Sequence, residues 1–165
     1  MDTINTNAMN TTNTNEWTAF IKTYFETLPF FRFLDTKVES TAAGKATLTL
    51  PVKAEYANTY GIAHGGLVAA LCDMASGICL RTLQIRCLTV NLNIDYIKPA
   101  RMGHTLIAEG EMVTQGKTLL RSKVTVKNEE GVIIALAHAV YYNIGEDDLS
   151  NYDVEGNRSK ENIQF

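Results

Sequence analysis

The run Ile62–Leu80, IAHGGLVAALCDMASGICL, limits the fold more than any other stretch. A helix that is apolar around its whole circumference has to be buried on every side, in a bilayer or inside a protein. His64, three glycines, Ser76 and above all Asp73 interrupt the run, and an ionisable group at bilayer depth is costly. The run therefore reads as the buried central helix of a globular domain that has no membrane as partner. Asp73 raises its own question: a carboxylate stripped of water needs an ionic partner, a structural hydrogen bond or a chemical task.

The segments around the run supply strands to wrap it. After a turn at Gly44, Ala46, Leu48 and Leu50 alternate with Lys45, Thr47 and Thr49, the period of a half-buried strand. In CLTVNLNIDYIKPA, Leu88, Val90, Leu92, Ile94 and Tyr96 are expected on one face, with Thr89, Asn91, Asn93 and Asp95 on the other. HTLIAEGEMVTQ, KTLLRSKVTVKN and VIIALAHAVYYN follow, divided by QGK and NEEG, as antiparallel strands with hairpin turns. Trp17, Phe20, Ile21, Tyr24, Phe25 and Leu28 have helical spacing that Pro29 ends. The fold class is α+β: a curved antiparallel sheet around one long helix, its free edge suited to pairing with a second copy.

A chain of 165 residues is expected to form one domain. Residues 1–15, rich in Asn and Thr, read as a disordered tail, 16–145 as the folded domain and 146–165 as a loosely ordered charged tail. A net charge of −3 offers no field for nucleic acid. Cys72, Cys79 and Cys87 form no CxxC pair, and His104 and His138 have no ligand spacing with His64, so neither a metal nor a resident cofactor is expected. The first fifteen residues lack an apolar leader core and contain no arginine, which makes the cytosol the expected compartment.

Helix N-termini receive developing negative charge on their unpaired N–H groups. His64-Gly65-Gly66 opens the central helix, so a carbonyl docked at Gly65 is one reading; close packing of the two glycines is the other. His64 reads as a capping residue that lines the site rather than as a proton donor. Asp73 is then the base or nucleophile within the helix. Yet Gly65 and Asp73 are separated by roughly 12 Å of helix rise, so the carboxylate serving one helix N-terminus has to come from a second subunit.

Asn58, His64-Gly65-Gly66, Asp73, TVNLNIDYIKPA and QGKT, in this order, resemble the hotdog-fold acyl-CoA thioesterases of the phenylacetyl-CoA thioesterase subfamily, over about residues 16–144. The resemblance implies hydrolysis of an acyl-CoA, with coenzyme A as part of the substrate, by homodimers that share active sites and pair into tetramers. It implies that Asn58 holds the carbonyl or leaving group and that Thr89 holds the attacking water beside Asp73. It also points to Gly66, Lys98, Arg101, Lys117 and Arg121 as substrate contacts, the basic residues toward the phosphates, although exposed basic residues are commonly plain solvated surface. Asp35 stands where the subfamily has a glycine. Two other readings are a non-catalytic acyl-CoA sensor and a hotdog dehydratase, whose acid would fall at Ile78. The acyl group stays open.

Overall fold

The computed structural model describes residues 11–152. Three helices and six strands follow one another as α1 (Thr11–Thr27), α2 (Pro29–Leu34), β1 (Lys37–Ala42), β2 (Lys45–Pro51), α3 (Gly65–Arg81), β3 (Ile85–Tyr96), β4 (Thr105–Gln115), β5 (Leu119–Asn128) and β6 (Ile133–Glu146). The strands form one antiparallel sheet in the order β1-β2-β4-β5-β6-β3. The crossover carrying α3 takes β3 to the far edge. This is the α+β hotdog architecture that the sequence implies.

α3 lies against the sheet's inner face, packed on β2 through β6. Leu71, Ile78 and Leu80 on the helix meet Leu48, Leu106, Leu120 and Val124 in one continuous core. Each aliphatic side chain so buried contributes roughly 1.5–3 kcal/mol relative to exposure, against the entropy of fixing the chain. The closest approach is at Gly110 on β4, where a Cβ would sit 2.5 Å from the Ala75 carbonyl oxygen. On β6 the inward positions are Ala135, Ala137 and Ala139, all buried, which keeps the helix near the sheet until Tyr141 fills the space beyond them.

The regular alternation expected for residues 87–96 is broken. β3 carries a bulge between Thr89 and Asn91: Thr89 pairs with Tyr141 and Asn91 with Val140, leaving Val90 as an extra residue. The phase of the pleat shifts there. Thr89, expected on the face opposite Leu92, therefore turns toward α3, and Val90 lies 59% exposed.

Two boundaries also differ. α1 begins at Thr11, inside the stretch read as a disordered tail, whose residues 1–10 lie outside the described residues. Pro29 ends one helix and opens the next from its first turn, where its missing N–H has no intrahelical partner to lose. Asp35 caps α2 in the left-handed conformation, φ 56°, a backbone position that glycine adopts without strain.

Residues 147–152 are docked rather than loose, while 153–165, the rest of the predicted charged tail, lie outside the described residues. The buried Asp147 carboxylate pairs with Arg81 at the C-terminus of α3 and accepts hydrogen bonds from Asn151 Nδ2 at 2.7 Å and the Tyr152 hydroxyl at 2.9 Å. Trp17 Nε1 of α1 donates to the Arg81 carbonyl at 2.7 Å. The Tyr152 ring packs 4.7 Å from Phe20 and 5.0 Å from Tyr24, centroid to centroid. Burial alone would raise the Asp147 carboxyl; the Arg81 charge and these hydrogen bonds outweigh it and hold it below the usual carboxylate range.

Candidate active site

The loop before α3 folds back through Asn58. Its Oδ1 accepts the N–H of Tyr60 at 2.9 Å and of Ile62 at 3.4 Å, an Asx-type turn that leaves the amide nitrogen for a ligand. His64 is the N-cap of α3: Nδ1 accepts the Gly66 N–H at 2.9 Å, and its carbonyl accepts the Leu67 N–H at 2.9 Å. With Nδ1 as acceptor, the ring proton of His64 sits on Nε2. The Gly66 N–H, expected to meet substrate, is thus spent on the cap. Among the described residues the Gly65 N–H has no such acceptor, and it is the first-turn donor available to an incoming oxygen. Asn58, Gly65, Val68, Tyr96 and Lys98 line a cleft of about 370 Å³.

Asp73, farther along α3, opens elsewhere. Its Oδ1 accepts hydrogen bonds from the Thr89 hydroxyl at 2.9 Å and the Tyr141 hydroxyl at 2.8 Å; the Tyr141 hydroxyl also lies 3.0 Å from the Asp73 carbonyl oxygen. Burial first, and then the Asp73 charge, push the Tyr141 phenol above its ordinary range, so this hydroxyl remains a donor. The three residues face a chamber of about 450 Å³ whose other walls include Phe25, Leu28, Phe31, Met74, Ile78 and Ile144. Ile78, where a dehydratase would carry its acid, is buried hydrocarbon.

The structure thus brings Asn58, His64 and Gly65 together, and Asp73 and Thr89 together, in two separate places. The basic residues divide likewise. Lys98 borders the Gly65 cleft, and Lys98 and Arg101 line a neighbouring cleft of about 190 Å³. Arg121 pairs with Val140, which pairs with Asn91, and Asn91 lies roughly 17 Å along β3 from its end at Tyr96, beyond which Lys98 follows. Lys117, in the turn between β4 and β5, and Arg121 border neither the Gly65 cleft nor the Asp73 chamber. One chain does not gather the four. Among the described residues no group of three His, Cys, Asp or Glu is placed to hold a metal ion, and no helix is long and apolar enough to cross a membrane.

Sequence reasoning missed Tyr141. Strict alternation from Ala135 through Ala137 and Ala139 gives its inward direction, but nothing local indicates that a residue 68 positions away is its partner. The aromatic wall supplied by α1 and α2 was also not expected at the site.

Residues 60–135 match the family model described as the thioesterase superfamily. Human acyl-coenzyme A thioesterase 13 is 34% identical over 99 residues, covering 58% of this chain and 71% of the human protein. A hypothetical thioesterase of Streptococcus pneumoniae, solved with coenzyme A, is 30% identical with a TM-score of 0.67 over 68% of this chain and 91% of that one. The chain belongs to the thioesterase superfamily. A mutant of the phenylacetic acid degradation protein PaaI of Thermus thermophilus is 27% identical to this thioesterase, with a TM-score of 0.68 over 71% of this chain and all of its own. The streptococcal protein has also been solved with an aspartate and, separately, a threonine replaced by alanine. Those two positions are 16 apart, as are Asp73 and Thr89 in this thioesterase.

Proposed function

We propose that this thioesterase hydrolyses acyl-CoA thioesters to the free acid and coenzyme A in active sites built by two chains. The observation that carries the reading is the Asp73 carboxylate, held by two hydroxyls on the wall of an apolar chamber sized for an acyl group. An apolar acyl chain enters that chamber. The thioester carbonyl meets the Gly65 N–H and the Asn58 amide of the partner chain, where the positive end of α3 stabilises the developing oxyanion. Asp73 acts as general base toward water or as nucleophile. Thr89 is placed to donate to Asp73 while its lone pairs accept the attacking water.

The pairing has support in the sheet. β3 runs over 12 residues as an edge strand bonded on one side only, to β6. Two β3 edges joined across a two-fold axis set the α3 helices antiparallel and carry each Asp73 toward the other chain's Gly65. Lys98 and Arg101 border the clefts on the Gly65 side, which suits them to coenzyme A phosphates. Lys117 and Arg121 reach the same ligand only from another chain, and a dimer of dimers is the assembly the resemblance implies.

Release of free thiol from a panel of acyl-CoA thioesters, with aryl, short and medium acyl groups, tests the activity. The wild-type chain is expected to turn over at least one class, and Asp73→Asn to lower kcat by at least about a hundredfold with the fold retained. Near-normal turnover in that variant removes Asp73 from the chemistry, and a wild-type chain inert on the whole panel removes the activity.

A further inference from the structure

The two hydroxyls on Asp73 are not distributed evenly. Thr89 and Tyr141 both donate to Oδ1, at 2.9 and 2.8 Å, while among the described residues Oδ2 accepts no hydrogen bond. The second contact of Tyr141, 3.0 Å to the Asp73 carbonyl oxygen, ties the same ring to the helix backbone that carries the carboxylate. Tyr141 is 2% exposed and anchored in β6. Its hydroxyl reaches α3 beside Gly77, where a Cβ would stand 3.9 Å from the phenolic oxygen. Thr89 arrives from the adjacent edge strand, where it pairs with Tyr141, turned inward by the bulge at Val90.

We infer that Tyr141 is a positioning residue for hydrolysis: with Thr89 it fixes Asp73 through Oδ1, so that Oδ2 is the oxygen presented to the thioester or to the attacking water. The inference deepens the proposed thioesterase reaction and rests on it. A carboxylate on a free side chain samples several rotamers, and catalysis by proximity requires one of them. A charged oxygen accepting two hydroxyl donors is held more firmly than by either alone. The two donors come from neighbouring strands, β3 and β6, so the carboxylate orientation is set by the sheet rather than by the helix alone.

Tyr141→Phe tests this, because the ring stays in the core and only the hydroxyl is lost. We expect kcat to fall about tenfold, the scale of one hydrogen bond to a charged group, with KM within about twofold of wild type. In a crystal structure of the variant, the Asp73 carboxylate is expected to leave its wild-type rotamer or to occupy more than one. Combined with Thr89→Ala, the two losses are expected to be non-additive, since both substitutions release the same oxygen. An unchanged kcat in an active enzyme overturns the inference. So does an Asp73 that keeps its single orientation in the Tyr141→Phe crystal structure, whether or not any thioester is hydrolysed. A wild-type chain inert on every thioester overturns the functional reading instead, and the carboxylate orientation still decides the role of Tyr141.

Discussion

Gly65 and Asp73 stand on the same helix, α3, and open into different clefts. Roughly 12 Å of helix rise separates them, several times the reach of a single hydrogen bond. In the proposed reaction Gly65 supplies the donor for the carbonyl oxygen and Asp73 the base or nucleophile. Neither can serve the other within one copy.

The close approach of Gly110 to Ala75 predicts the costliest single methyl in the core. Gly110→Ala places a Cβ 2.5 Å from a helix carbonyl oxygen, which neither strand nor helix relieves without moving backbone. Destabilisation of about 1–3 kcal/mol is expected from such overpacking, read as a lowered Tm by calorimetry. An unchanged Tm would show that α3 does not press on β4 there.

Acid should undo the docking of residues 147–152. The Asp147 carboxyl is held below its ordinary range in the folded chain, so the stability it adds is complete above the unfolded carboxylate value, about pH 4, and is lost as pH falls through the folded one. Asp147→Asn leaves the Arg81 guanidinium without its carboxylate and is expected to cost about 3–5 kcal/mol at neutral pH, as for other broken buried pairs. The gap in Tm between the two proteins should narrow as the pH is lowered from about 5 toward about 2. A gap constant over that range contradicts the pairing.

The cysteines should be silent in thiol assays. Burial pushes the thiols of Cys72 and Cys79 up to about 12 and that of Cys87 to about 11, which leaves almost no thiolate at about pH 8. Ellman's reagent is expected to report released coenzyme A without labelling the native protein, and to find three thiols after unfolding. Rapid labelling of the native chain would place at least one of them in solvent.

The legible parts of this fold were those written in short-range pattern. All-round apolarity identified α3 as the wrapped helix, and His-Gly-Gly located its N-terminus at the residue where it begins. The bulge at Val90 left no trace, because an extra valine continues the hydrophobic alternation that it puts out of phase. Tyr141 and the docked segment 147–152 escaped for a related reason: their roles depend on partners, Asp73 and Arg81, that are distant in sequence. Thr89 was reached through resemblance, since a threonine in a strand carries no signal of its own.

The shared active site is the central claim, and subunit complementation tests it most directly. An Asp73→Asn chain and a Gly65→Leu chain, each inactive alone, are mixed in equal amounts, with exchange of subunits followed by native mass spectrometry. In a mixed dimer one composite site receives both defects and the other receives neither. With random pairing, the account predicts recovery of about a quarter of wild-type thioester hydrolysis. Confirmed exchange with no return of activity would contradict it, and would require Gly65 and Asp73 to act within a single chain.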